Sequence, residues 1–209
     1  MSHVVLLGDS IFDNAAYVPG RPAVIDQVRS ALPAGWKATL AAVDGATVAD
    51  VPRQLAAVPP TATHLVLSVG GNDALGASGM LNDRAATVGE AVTIIAGVVA
   101  EFAERYMGLV RRLAGTGKPL TACTVYDGVP NLGVASRGGL VAFNDVIIRT
   151  AFAARLPLID LRLICTDAAD YSPLSPIEPS AAGGAKIAAA IVDAVTRHDF
   201  AARRTAVWG

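Results

Sequence analysis

The feature that most constrains the fold of this chain is an alternation of short apolar runs with longer stretches of helical periodicity. Residues 4–7 and 64–69 are short runs dominated by Val and Leu, and helical patterns at residues 22–32 and 82–113 follow them along the chain. Such alternation is typical of β-α-β units, in which apolar strands are buried on both faces of a parallel sheet. The pattern therefore predicts an α/β fold.

The whole chain divides into predicted strands and helices without a linker or repeat. Strands are predicted at residues 4–7, 37–43, 64–69, 119–126 and 157–161. Helices are predicted at residues 22–32, 48–57, 82–113 (kinked or split near Gly89), 141–154 and 181–197, with a glycine-rich loop at 129–139. A chain of 209 residues suffices for one well-buried core and is short for two. We therefore predict a single domain, residues 1–209, built as a flavodoxin-like three-layer α/β/α sandwich with a five-stranded parallel sheet.

Composition and charge argue against several classes of protein. The net charge is −1 and the basic residues are scattered, so the basic footprint of a nucleic-acid-binding protein is missing. The longest strongly apolar run, residues 91–100, is too short to span a bilayer, and the first residues do not resemble a signal peptide. Cys123 and Cys165 form neither a disulfide framework nor a metal site. The sequence predicts a cytoplasmic protein with no cofactor, no metal, no nucleic-acid partner and no membrane partner.

Three short polar segments follow the first three predicted strands, at residues 8–10, 44–46 and 70–73. In an open parallel sheet, the carboxyl ends of the strands form the binding crevice. A serine just past a strand can present its hydroxyl as a nucleophile, while a backbone N–H and an asparagine amide can stabilise a developing oxyanion. Ser10 and Asn72 thus supply parts of an acyl-transfer site.

These segments resemble the blocks of the SGNH, or GDSL, hydrolase family. Gly-Asp-Ser at residues 8–10 matches its nucleophile block, and Gly-Gly-Asn-Asp at residues 70–73 matches its third block. The resemblance implies that Ser10 is the nucleophile. It also implies that Ser10 N–H, Gly45 N–H and the Asn72 amide form the oxyanion hole. The activity it implies is hydrolysis of esters, thioesters or acetylated sugars without a metal.

The last block departs from the family pattern of Asp-x-x-His. This chain has Ser175 in place of the orienting aspartate and Glu178 in place of the general base, although residues 179–188 look like the family's closing helix. The three histidines of the chain lie at the amino ends of predicted strands or at the end of the last helix, far from Ser10. Glu178 is therefore the predicted base.

The strength of Glu178 as a base depends on its surroundings. Its reference pKa is about 4.3, against about 6.5 for histidine, which predicts a loss of roughly tenfold in rate. The dipole of the following helix, which Ser180 is predicted to cap, lowers the pKa of this carboxyl, whereas burial raises it. The sequence leaves that balance open.

The remaining residues of these segments, Asp9, Gly71 and Asp73, are predicted to bind substrate together with Tyr126 at the end of the fourth strand. Two functions stay open. The favoured one is a serine hydrolase that cleaves small acyl or acetyl esters, so that the partner is a small-molecule ester. The alternative is a catalytically silent SGNH-fold protein that binds an acyl or sugar ligand. A phosphate-binding flavodoxin-like module is disfavoured, because a glycine-rich phosphate loop with lysine is missing.

Overall fold

A six-stranded parallel sheet forms the centre of the molecule in the computed structural model, which describes residues 1–209. The strands are β1 (Ser2–Gly8), β2 (Trp36–Leu40), β3 (His64–Ser68), β4 (Leu120–Cys123), β5 (Leu158–Ile159) and β6 (Val207–Trp208). Their order is β2-β1-β3-β4-β5-β6, and every neighbouring pair is parallel. In the register of the sheet, Val5 on β1 lies between Thr39 on β2 and Leu65 on β3.

Seven α-helices cover or border the sheet. They are α1 (Val24–Ala31), α2 (Val51–Ala56), α3 (Gly71–Ala77), α4 (Val88–Ala114), α5 (Val134–Ala154), α6 (Leu161–Ile164) and α7 (Ala181–Arg197). No helix has both the length and the apolar character needed to cross a membrane.

Alternate side chains of β1 divide the core into two layers. Val4 and Leu6 are fully buried in a cluster with apolar residues of α1 and α7. Val5 and Leu7 are fully buried in a second cluster with apolar residues of α4 and α5. Because successive side chains of a strand point to opposite faces, both faces of the sheet are covered by helices. The predicted three-layer α/β/α architecture is confirmed.

Several details of the predicted element list differ from the structure. The sheet has six strands, because Val207 and Trp208 pair with β5 after the last helix. A two-residue strand is too short to show alternation in a sequence. The predicted loop at residues 129–139 is a loop only to Gly133, since α5 begins at Val134. Glycines inside a helix disfavour it locally, and packing of α5 against α4 and the sheet outweighs that preference.

The helix ends follow ordinary capping rules. α7 has the predicted bounds, and Ser180 Oγ accepts hydrogen bonds from the N–H groups of Ala182 and Gly183. α4 begins only at Val88, where the side chain of Thr87 caps it, so Gly89 lies in its first turn rather than at a kink. Both ends match the preference of helices for a hydroxyl at the N-cap.

Candidate active site

A cavity of about 210 Å³ lies at the carboxyl ends of β1, β3 and β4. Ser10 from the turn after β1, Asn72 from the first turn of α3, and Glu178 from the segment before α7 all line it. The chain therefore brings the predicted nucleophile and the predicted base to one cavity, although they are far apart in sequence.

The turn that carries Ser10 is held rigidly against β3. Asp9 N–H donates to the carbonyl oxygen of Ser68 at 3.1 Å, and Gly8 has a φ of 132°, which favours glycine. A Cβ at Gly8 would come 1.7 Å from the same Ser68 oxygen, so no other residue fits there. Gln54 bonds both backbone groups of Gly8, at 2.8 and 2.7 Å. These contacts place Ser10, which is 6% exposed, at the edge of the cavity.

The predicted oxyanion donors are placed unequally. Asn72 lines the cavity and donates one amide hydrogen to the carbonyl oxygen of Ala46 at 3.0 Å, which leaves its second amide hydrogen for a ligand. Gly45 has a φ of 77° and lies outside this cavity, in a shallow surface depression that Asp44 and Arg53 also line. The bond from Asn72 to Ala46 keeps the Gly45 loop beside the cavity. The oxyanion role of Gly45 N–H stays a prediction.

Backbone hydrogen bonds within the segment 171–180 fix the position of Glu178. Its N–H donates to Ser175 at 3.0 Å, and its carbonyl oxygen accepts from Ser172 N–H at 2.8 Å. Tyr171 and Pro179 form an antiparallel bridge. The segment is thus a closed turn that delivers the Glu178 side chain to the cavity.

Two side chains from other elements anchor this turn. The Tyr126 hydroxyl donates to the carbonyl oxygen of Ile177 at 2.7 Å. The fully buried Asn14 donates to the carbonyl oxygen of Pro179 at 3.1 Å and accepts from Val24 N–H, at the start of α1, at 2.9 Å. Asn14 therefore connects the loop that carries Ser10, α1 and the turn that carries Glu178. The position of Asn14 shortly after Ser10 is the only sign of this role in the sequence.

A family model for GDSL-like lipases and acylhydrolases matches residues 6–186, which include Ser10, Asn72 and Glu178. This chain belongs to that family. The resemblance drawn from the sequence motifs is thereby confirmed, and membership supports an ester-cleaving hydrolase in general terms. No curated protein sequence is significantly similar to this GDSL-family chain.

Solved structures of several lipases and esterases resemble this GDSL-family protein. An extracellular lipase from Streptomyces rimosus is 17% identical, with a TM-score of 0.64 over 89% of this chain and 96% of that one. Phospholipase A1 from Streptomyces albidoflavus is 16% identical, with a TM-score of 0.62 over 88% and 95%. An acetyl xylan esterase variant from Geobacillus stearothermophilus is 16% identical, with a TM-score of 0.68 over 95% and 96%. At these identities the similarity establishes the fold.

The GDSL-family histidine has no substitute among the three histidines of this chain. The His3 ring bonds Thr39 at 2.8 Å, and His64 pairs with Val4 at the amino end of β1. The rings of His64 and His198 both pack against Phe200, with centroids 5.5 and 4.8 Å from it. These side chains cluster at the amino end of the sheet, opposite Ser10. Glu178 and Asp9 are the two carboxyl side chains that line the Ser10 cavity.

Burial dominates the electrostatics of Glu178. The side chain is 4% exposed, and burial raises the pKa of its carboxyl to about 7. The Ser10 hydroxyl interacts with this carboxylate and lowers the pKa, while the negative charge of Asp44 raises it. Glu178 Oε2 is buried without a hydrogen-bond partner in the protein. The balance that the sequence left open is therefore decided by burial rather than by the helix dipole.

Asp9 forms a second buried acid in the cavity. Burial raises its pKa to about 8, and the charges of Glu178 and Asp73 add to that effect, whereas the Ile11 N–H lowers it. At neutral pH Asp9 is therefore mostly protonated. A cavity with one neutral acid and one titrating acid carries about one negative charge or less near pH 7.

The predicted substrate-binding residues divide into two groups. Asp9, Gly71 and Tyr126 line the cavity. Asp73 lies outside it, and its Oδ2 accepts a hydrogen bond from Val48 N–H at 3.0 Å, which holds the loop after β2. Substrate binding by any of the four stays a prediction.

The sequence patterns missed the apolar wall of the cavity. This wall includes Leu75 from α3, Met80 and Leu81 from the short 3₁₀ turn Ser78–Asn82, and Leu140 and Phe143 from α5. The available signal was the pair of large apolar residues at 80–81, between the polar segment 70–73 and the predicted helix 82–113. The first residues of α5 were predicted to be a loop. The sequence therefore showed no helical periodicity that would indicate a contribution of this part of α5 to the cavity wall.

Proposed function

We propose that this protein is a serine hydrolase that cleaves small acyl esters, with Ser10 as nucleophile and Glu178 as general base. The observation that carries this proposal is that Ser10 and the buried carboxyl of Glu178 line the same cavity, where burial raises the pKa of Glu178 to about 7. Membership in the GDSL-like lipase/acylhydrolase family supports the reaction class.

The raised pKa removes the main chemical objection to a carboxylate base. A glutamate with its reference pKa of about 4.3 is a much weaker base than histidine, at about 6.5. A carboxyl with a pKa of about 7 matches histidine in basicity and is largely ionised at pH 8. The expected tenfold penalty therefore does not apply to Glu178 in its folded environment.

The reaction follows from these positions in two halves. Glu178 accepts the Ser10 proton as Ser10 Oγ attacks the ester carbonyl, and the Ser10 N–H and Asn72 amide stabilise the oxyanion, with Gly45 N–H as a further candidate donor. Protonated Glu178 then gives the proton to the departing alkoxide. The alcohol is released, and the acyl group stays bound to Ser10 Oγ. In the second half, Glu178 takes a proton from water, the resulting hydroxide equivalent attacks the acyl group, and the proton returns to Ser10 Oγ as the acid departs.

A protein that binds the same ligand without turnover is the second candidate. One observation favours it: the family's histidine is replaced by Glu178. Both candidates require the same cavity, and they differ in whether Ser10 reacts.

The deciding experiment compares hydrolysis of p-nitrophenyl butyrate between pH 5 and 9 by the wild type, Ser10→Ala and Glu178→Gln. The exposed positions Ser30→Ala and Glu104→Gln serve as matched controls. We expect both site variants to lose at least about 100-fold in kcat/KM, the range that a positioned base contributes, and both controls to retain wild-type activity. Turnover by folded wild type that equals that of Ser10→Ala at every pH would contradict the hydrolase and favour the binding protein.

A further inference from the structure

The part of the cavity beyond Ser10 is a mainly apolar chamber that is partly open to solvent. Its walls come from α3, the turn Ser78–Asn82 and α5, and they include Leu75, Leu81 and Leu140. The only charged side chains that line it are the two acids, Asp9 and Glu178. A ligand part held here is therefore mainly apolar and does not carry a negative charge of its own.

Gly139 leaves part of this chamber open. It lies within α5, where glycine is less favourable than alanine, and it lines the cavity. A Cβ at Gly139 would meet no atom within 4 Å, so close packing does not explain the glycine. The neighbouring Gly138 also has open space around its Cβ position, but it does not line the cavity.

We infer that this chamber binds the acyl chain of an uncharged, straight-chain ester of medium length, and that Gly139 is the residue that sets the length. This inference rests on the proposed ester hydrolysis at Ser10. An aliphatic cavity of about 150 Å³ holds one benzene ring, so a cavity of about 210 Å³ accommodates roughly eight carbon atoms. An acetyl group would leave most of it empty.

The chain-length profile of the reaction follows from burial. Each methylene that moves from water into an apolar chamber improves binding by roughly fourfold at most. The gain in kcat/KM is expected to continue from acetate to about octanoate and to reverse for dodecanoate, whose tail exceeds the chamber. A chain that ends in a second carboxylate loses this gain, because the carboxylate would be buried without a partner among the apolar walls.

The test measures kcat/KM for p-nitrophenyl esters from acetate to dodecanoate on the wild type, Gly139→Leu and the control Gly138→Leu. A leucine side chain adds four carbons, about half the estimated capacity. We expect Gly139→Leu to lower the octanoate-to-acetate ratio by at least about tenfold and to move the optimum toward butyrate. Gly138→Leu is expected to keep the wild-type profile. Gly139→Ala gives a smaller shift in the same direction and serves if the leucine variant folds poorly.

A binding measurement separates this inference from the proposed hydrolysis. Octanamide and butanamide are uncharged and lack an ester bond, and calorimetry measures their binding to Ser10→Ala with and without Gly139→Leu. Tighter binding of octanamide that Gly139→Leu abolishes supports the acyl chamber, even if no ester is turned over. Ester hydrolysis with an optimum at acetate, or octanamide binding that Gly139→Leu leaves unchanged, would overturn the chamber while leaving the hydrolase in place.

Discussion

At the level of single residues, Glu178 has a carboxyl that is 4% exposed, and burial is the largest influence on its pKa. Desolvation disfavours the charged form, so the group reaches a basicity that an exposed glutamate does not have. Asp44 adds to this from the rim, where its carboxylate accepts a hydrogen bond from the Tyr17 hydroxyl at 2.8 Å. Under the proposed function, this environment offsets the replacement of the family's histidine by Glu178.

The pH dependence of turnover tests this environment. Protonated Glu178 cannot accept a proton, so kcat/KM is expected to rise with pH through about 7.

Asp44→Asn removes a negative charge that raises the pKa of Glu178, so the rising limb of the pH–rate profile is expected to move to lower pH. Asp44 is exposed, so the shift should be less than about one pH unit. The measurement is a pH–rate profile with Asp145→Asn, an exposed aspartate on α5, as control. A limb at the ordinary glutamate pKa near 4.3 in wild type would rule out a buried base.

At the level of elements, the first turn of α7 is packed directly against the segment that precedes Glu178. Ser180 N–H donates to the carbonyl oxygen of Asp170 at 2.8 Å, and Lys186 on α7 bonds the buried Asp170 carboxylate at 2.8 Å. Gly183 makes the approach possible, because a Cβ there would lie 2.1 Å from the same Asp170 carbonyl oxygen. The first turn of α7 thus supports the turn that carries Glu178, because its backbone lies directly against Asp170.

Substitution of helical glycines should separate this packing role from helix propensity. Gly183→Ala is expected to destabilise the protein by about 1–3 kcal/mol, because the added methyl collides with backbone that cannot rotate away. Gly138→Ala in α5 meets open space and is expected to stabilise by about 0.5–1 kcal/mol. Urea unfolding at pH 7 measures both. Equal effects of the two substitutions would mean that the approach of α7 to Asp170 is not close.

At the level of the whole molecule, the cavity residues and the histidines lie at opposite edges of the parallel sheet. The carboxyl edge carries Ser10, Asn72 and Glu178, whereas the amino edge carries the histidines. Folding also places two acids, Asp9 and Glu178, in a region of low solvent access. Because their pKa values are raised to about 8 and about 7, the stability of the entire fold becomes linked to pH.

The sign of this linkage gives a further prediction. The unfolded chain releases both protons near pH 4, whereas the folded protein retains them to about pH 7 and 8. Between these limits the native state binds more protons, so each acid lowers the free energy of unfolding by ~1 kcal/mol per pH unit as pH rises. The stabilisation is fully present below about pH 4 and lost above about pH 8.

Asp9→Asn removes one of the two contributions. The difference in unfolding free energy between variant and wild type, measured by urea titration from pH 5 to 9, is therefore expected to move in favour of the variant as pH rises. Asp145→Asn, on the surface of α5, should show no such trend. A pH-independent difference for Asp9→Asn would indicate that Asp9 is ionised throughout this range.

The sequence by itself determined the layers and most of the elements. The apolar runs that became β1 and β3 show their burial directly, because strands covered on both faces are apolar at nearly every position. The bounds of α7 were visible because Ser180 is a strong local N-cap signal. The motif residues Ser10 and Asn72 were also identified, since their positions after strands place them at one edge of the sheet.

Only the tertiary structure decided the properties that depend on surroundings. The pKa of Glu178 depends on burial by segments distant in sequence, and no local pattern records that burial. The start of α5 at Val134 and the edge strand at Val207 depend on packing that outweighs weak local preferences. The open space at Gly139 exists because three elements meet there without filling it. Secondary-structure propensity depends on residues that are adjacent in the sequence. Solvent access and cavity shape depend on residues that come into contact only when the chain folds.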